Sequence, residues 1–121
     1  MKILLVEDDQ LLQLSWSDAL RGRARIISAL SIPEAEQRFL EHPDIAVIVM
    51  DACVPGSIIN TPPLVARLRA NFFGPMIANS SHAPYCRELI QAGCDHECPK
   101  HLVIEKLHEV ILSHSCLRLM P

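Results

Sequence analysis

The chain has 121 residues, half of them hydrophobic, and a formal net charge of -3. That length fits one domain built on one core, and the apolar share excludes an intrinsically disordered chain. Acidic and basic residues are interspersed with no Lys- or Arg-rich block, which excludes the usual nucleic-acid footprint, and no apolar run approaches the ~20 residues of a membrane span.

The first apolar run, Ile3 to Val6, is cut off by Glu7, Asp8 and Asp9. It is too short for the core of a signal peptide, so a cytoplasmic location is expected. A short continuous run of this kind suits a strand covered on both faces. Leu12, Trp16, Ala19 and Leu20 then recur at helical spacing, which predicts a helix over about Gln10 to Arg21, closed by Gly22. Arg25 to Ala29 reads as a second strand. Ser31 and Glu34 form a capping box with Pro33 in the first turn, opening a helix that turns Ala35, Phe39 and Leu40 inward and stops before Pro43.

Ile45 to Met50 is the strongest strand, six apolar residues ending at Asp51. A loop rich in Pro, Gly and Asn follows, from Ala52 to Thr61. Thr61-Pro62 predicts a helix start, with Leu64, Val65 and Leu68 as its inner face. Pro75 to Asn79 reads as a fourth strand and Pro84 to Ala92 as a fourth helix, ended by Gly93. Asp95 to Cys98 is a short, poorly hydrophobic strand. Val103, Leu107, Val110 and Ile111 define a last helix. Trp16 is expected to pack in or beside the core. Tyr85 either caps the fourth helix or stands near an output face.

Five cysteines, Cys53, Cys86, Cys94, Cys98 and Cys116, are odd in number and irregular in spacing, which reads as reduced, mostly buried thiols. Cys94, His96, Cys98 and His101 cluster, but at no spacing common among zinc sites.

Alternating strands and helices predict a parallel sheet with helices on both faces, and such sheets bind ligands beyond the carboxyl ends of their strands. Glu7-Asp8-Asp9 follows the first strand, Asp51 the third, Asn79-Ser80-Ser81 the fourth and Lys100 the fifth. Carboxylates crowded in a crevice repel one another, and a divalent cation relieves that repulsion; a few carboxylates completed by water suit Mg²⁺. Lys100 supplies a mobile positive charge and Ser80 a hydroxyl donor. Together these are the parts needed to transfer a phosphoryl group to an aspartate.

Across nearly its whole length the sequence resembles the receiver domains of two-component response regulators. The resemblance is carried by ILLVEDD (Ile3 to Asp9), VIVMDACVPG (Val47 to Gly56), PMIANSS (Pro75 to Ser81) and AGCDHECPK (Ala92 to Lys100). It implies a flavodoxin-like three-layer α/β sandwich over residues 1–121, with five parallel strands in the order 2-1-3-4-5 and five helices. It implies that Asp51 takes phosphate from a phosphohistidine on a sensor histidine kinase or phosphotransfer protein. Asp8, Asp51 and the main-chain carbonyl of Cys53 would bind Mg²⁺ directly, Glu7 would act through water, and Ser80 and Lys100 would contact the phosphoryl group. Cys53 and His82 occupy positions that tune phosphate lifetime in that family. Such a chain is a switch more than an enzyme, and it signals to a downstream protein that the sequence does not identify.

Three features depart from the family pattern. Glu97 stands where an aromatic residue usually turns inward on activation, and a buried carboxylate there would carry a large desolvation cost. His101 replaces the usual proline after the lysine, where a cis bond would cost about 2.5–4 kcal/mol, so a trans bond that displaces Lys100 is expected. The loop after Asp51 is longer than usual and carries Ile58 and Ile59, which either meet a partner or fold back on the core. These departures motivate a second reading, a degenerate receiver that binds proteins without phosphorylation. A dehalogenase-like phosphatase would need an Asp where Cys53 stands, and a flavodoxin would need a phosphate loop where Glu7-Asp8-Asp9 would repel phosphate.

Overall fold

The computed structural model describes residues 1–119, with the side chains of residues 1–113. Its elements run β1 (Lys2–Val6), α1 (Gln10–Ala19), β2 (Arg25–Ala29), α2 (Ile32–Glu41), β3 (Ile45–Asp51), α3 (Pro62–Arg69), β4 (Met76–Asn79), α4 (Ala83–Ala92), β5 (His96–Cys98), a 3₁₀ turn (Lys100–Leu102) and α5 (Val103–Leu119). The five strands form one parallel sheet in the order β2-β1-β3-β4-β5. This is the flavodoxin-like order expected from the sequence.

Successive residues of a strand face opposite sides, so each apolar run feeds two cores. Leu4, Val6, Ile48, Met50, Met76 and Ala78 meet Ala35 of α2, Leu64, Val65 and Leu68 of α3, and Leu89 of α4. Ile3, Leu5, Val47, Val49 and Ile77 meet Trp16 and Leu20 together with Val103, Leu107 and Val110 of α5 on the opposite face. Burial of each large side chain contributes roughly 1.5–3 kcal/mol, which is why the runs need no polar interruption. Among the described residues no helix is long and apolar enough to cross a membrane.

The capping box is present at α2: Ser31 Oγ accepts from the Glu34 amide at 3.2 Å. Two residues expected to face inward do not. Ala19 is exposed at the end of α1, and Leu40 is 80% exposed on α2. Helical spacing gives a stripe but not its edge, and both residues stand just past that edge. α1 also ends at Ala19, earlier than its pattern suggests, with Leu20 as the capping residue. Cys53, Cys86, Cys94 and Cys98 are buried free thiols, as expected; the Cys116 side chain lies outside the described residues.

Candidate functional site

The carboxyl end of β1 presents its three acids in three different ways. Asp9 caps α1, its Oδ1 accepting from the amides of Leu11 at 2.9 Å and Leu12 at 3.2 Å. That use holds Asp9 at the rim. Asp8 is half-buried and accepts from the Gly56 amide at 3.3 Å. Glu7 is fully buried, with Oε2 accepting from the Asp9 amide at 3.1 Å.

Asp51 ends β3 and is 4% exposed. One carboxylate oxygen each from Glu7, Asp8 and Asp51 lies within 4.8 Å of the others. Lys100, at the start of the 3₁₀ turn, reaches back over the sheet end. Its Nζ lies 3.3 Å from Asp51 Oδ2, a hydrogen bond, and 2.9 Å from Glu7 Oε1. The second contact is a close ion pair with a fully buried carboxylate. The Lys100–His101 bond is trans, as expected, but it does not displace the ammonium from the acids.

Three carboxylates face one ammonium. Burial pushes the Glu7 carboxyl up from 4.5 to about 7, helped by the negative charge of Asp51 and opposed by Lys100. Burial also raises Asp51, against the pull of Lys100. Burial works to raise Asp8 too, but hydrogen bonds from the Glu7 carboxyl and the Gly56 amide outweigh it and lower its pKa. Burial works against the Lys100 ammonium, and its contacts with Glu7 and Asp51 more than compensate, so its pKa is raised. Burial without enough positive charge thus makes Glu7 harder to ionise than an ordinary carboxyl. A small divalent cation fits this donor set: hard oxygen ligands from three gathered carboxylates that share a single ammonium.

Ser80 follows β4 and lines the same cleft as Asp51, Cys53, Gly56, His82, Tyr85 and Lys100, a space of about 410 Å³. Its Oγ accepts from the His82 amide at 3.1 Å, which leaves the hydroxyl proton to donate elsewhere. Burial and the Asp51 charge raise the Cys53 thiol, which stays neutral and offers the cleft no thiolate. The rings of His82 and Tyr85 stack edge to face 4.3 Å apart on the cleft wall, and the Tyr85 hydroxyl donates to the Ser57 carbonyl at 3.3 Å. Glu97 on β5 is exposed, clear of the core. Cys94, His96, Cys98 and His101 form no metal-holding group among the described residues.

The loop after Asp51 splits its two isoleucines. Ile59 packs against the core, whereas Ile58 is 79% exposed. Asn60 pins the loop by pairing with Val54 twice, accepting from its amide and donating to its carbonyl, both at 2.8 Å. Thr61 does not cap α3 with its side chain; its hydroxyl donates to the carbonyls of Asp51 at 2.7 Å and Ala52 at 3.0 Å.

Gln13 was not legible as a site residue. Gln13 on α1 is buried, and its Nε2 contacts the carbonyls of Leu5 at 2.8 Å, Glu7 at 3.1 Å and Ala29 at 3.3 Å. It thereby fastens the turn that carries Glu7 and Asp8. The signal available in the sequence was a polar residue one position after Leu12, inside an otherwise apolar stripe.

No protein-family model and no curated protein sequence matches the chain. Solved structures do. A two-component response regulator from Clostridium difficile is 19% identical with a TM-score of 0.79, over 99% of this chain and 98% of that one. A response regulator receiver protein from Pseudoalteromonas atlantica is 17% identical with a TM-score of 0.74, over 94% of this chain and 99% of that one. A response regulator from Burkholderia pseudomallei, with a phosphorylated aspartic acid, a calcium ion and citrate, is 14% identical with a TM-score of 0.76, over 98% of this chain and 75% of that one. The structural neighbours are response regulator receiver domains, and this chain has their fold.

Proposed function

We propose that this chain is a cytoplasmic response regulator receiver, one domain over residues 1–121, that accepts a phosphoryl group on Asp51 from a sensor histidine kinase or phosphotransfer protein. Asp8, Asp51 and the Cys53 carbonyl would hold Mg²⁺, with Glu7 acting through water. The observation that carries this reading is the position of Asp51. It ends the central strand with Lys100 bonded to it and Glu7 and Asp8 gathered beside it.

In the transfer, an Asp51 oxygen forms the new bond to phosphorus while the bond from phosphorus to the donor imidazole nitrogen breaks. The imidazole keeps that electron pair and takes up a proton. The Lys100 ammonium and the Ser80 hydroxyl receive phosphoryl oxygens, as electrostatic stabilisation of developing charge requires. Mg²⁺, when bound, supplies further positive charge to those oxygens. The Burkholderia neighbour, with its phosphorylated aspartic acid and calcium ion, supports both parts of the reading. Phosphorylation changes the surface offered to a downstream protein.

A second reading is favoured by Glu97. With a carboxylate exposed where the family carries its inward-turning aromatic, a degenerate receiver would bind its partner regardless of phosphate. Incubation with acetyl phosphate and Mg²⁺ separates the two. The first reading expects wild-type protein to gain the mass of one phosphoryl group and Asp51→Asn to gain none. An unphosphorylated wild type whose partner binding ignores Mg²⁺ and Asp51→Asn would support the second.

A further inference from the structure

Asn79 is the last residue of β4 and is fully buried. In the parallel pairing of β3 with β4 it stands in register with Asp51. Alternation places both side chains on one face of the sheet. Val49, two residues before Asp51, and Ile77, two before Asn79, share the core on the α1 and α5 side. Adjacent strands lie ≈ 4.7–4.9 Å apart, so paired side chains on one face are neighbours. The Asn79 oxygen is used, accepting from the Cys98 thiol at 3.9 Å. Its amide nitrogen has no partner among the described residues.

A buried, unpaired N–H group is costly, and nothing on the apolar face around it explains why a strand would carry one. Asp51 is the group beside it whose chemistry changes. In the free carboxylate, Asp51 Oδ2 is engaged by Lys100. Once an Asp51 oxygen bonds to phosphorus, the negative charge moves outward to the phosphoryl group with Lys100. The remaining Asp51 oxygen is then a carbonyl, whose two lone pairs can serve the cation and one further donor.

We propose that Asn79 donates its side-chain N–H to that carbonyl oxygen in phosphorylated Asp51 and so shortens the life of the acyl phosphate. The inference rests on the reading of Asp51 as phosphoacceptor. In hydrolysis, water oxygen bonds to phosphorus, the bond from phosphorus to the Asp51 oxygen breaks, and its electron pair returns to Asp51 as a carboxylate. Water loses its proton to solvent, and inorganic phosphate leaves. A donor on the Asp51 carbonyl stabilises the carboxylate as it forms, and so speeds its departure.

The test compares Asn79→Val, which keeps size and β preference but removes the donor, with Asn79→Thr, which restores a hydroxyl donor on the same shape. Each is phosphorylated with acetyl phosphate and Mg²⁺, freed of donor, and followed by intact mass. One neutral hydrogen bond corresponds to a lifetime about three- to tenfold longer in Asn79→Val, with Asn79→Thr returning toward wild type. A wild type that phosphorylates, with Asn79→Val decaying at its rate, overturns this inference and leaves the phosphoacceptor reading standing. Two variants that decay alike overturn it equally, because a purely structural role would not follow the donor. A wild type that takes no phosphate overturns both.

Discussion

Lys100 Nζ lies 2.9 Å from Glu7 Oε1, and this pair joins the two ends of the fold's chemistry: the turn after the first strand and the turn after the last. Glu7 is wholly buried, whereas Lys100 is one-third exposed and retains access to the cleft. The ammonium is shared with Asp51, so it can serve a phosphoryl group only by loosening one of these contacts. Mg²⁺ beside Glu7 would free it to do so.

Removing the ammonium should therefore cost transfer more than folding. Lys100→Met is expected to slow phosphorylation by acetyl phosphate by about 10²-fold, the scale of losing one preorganised charge donor. Glu7 takes up a proton in its absence, so the far-ultraviolet circular dichroism should match wild type. Wild-type rates in the variant would remove Lys100 from the mechanism.

The raised Glu7 and Asp51 carboxyls set a pH dependence. With Glu7 moved from 4.5 to about 7, the metal-free folded state holds more protons than the unfolded chain within that window. Stability of the metal-free protein should fall as pH rises through it. Glu7→Gln should flatten the fall, leaving the smaller part due to Asp51. Mg²⁺ affinity should run the other way, tightening as pH rises and Glu7 ionises. Urea titrations at several pH values in a chelator, and Mg²⁺ titrations at the same values, read both slopes. Stability that climbs with pH across this window would contradict the assignment.

Gln13 holds three strand-end carbonyls with one amide group. Gln13→Leu keeps the volume and loses the donor. It should cost about 1–3 kcal/mol in urea denaturation, the penalty of leaving buried acceptors unpaired. It should also weaken Mg²⁺ binding, because the turn bearing Glu7 and Asp8 is no longer fastened. A variant as stable as wild type, with unchanged Mg²⁺ affinity, would refute that role.

Asn60 does the same for the loop that contains Cys53. Asn60→Ala removes both hydrogen bonds to Val54. A loss of about 1–2 kcal/mol is expected, with weaker Mg²⁺ binding as the Cys53 carbonyl loses its fixed place. Calorimetric titration of Mg²⁺ and thermal melting check the two effects separately.

The sheet was legible because its strands are continuous apolar runs, a pattern that only doubly covered strands require. The polar groups at their ends were legible for the same reason: Glu7, Asp51 and Lys100 each break or follow an apolar segment, and topology alone brings them together. Leu40 and Ala19 misled because spacing identifies a helix stripe but not where it meets solvent. Gln13, Asn60 and Thr61 escaped because their partners are main-chain carbonyls and amides. Every residue owns such groups, so the sequence carries no mark of which are short of a partner. Asn79 was legible as the polar end of a strand, but its unpaired nitrogen exists only in the folded packing.

Phosphate on Asp51, the proposed acceptor, can be trapped chemically. An aspartyl phosphate is reduced by borohydride to homoserine, which marks the site permanently. The protein is treated with acetyl phosphate and Mg²⁺, reduced, digested and sequenced by tandem mass spectrometry. Homoserine is expected at position 51, and is expected to be absent when a chelator replaces Mg²⁺. Homoserine at position 8 or 9 instead, or none at position 51 in protein that has gained phosphate, would contradict it.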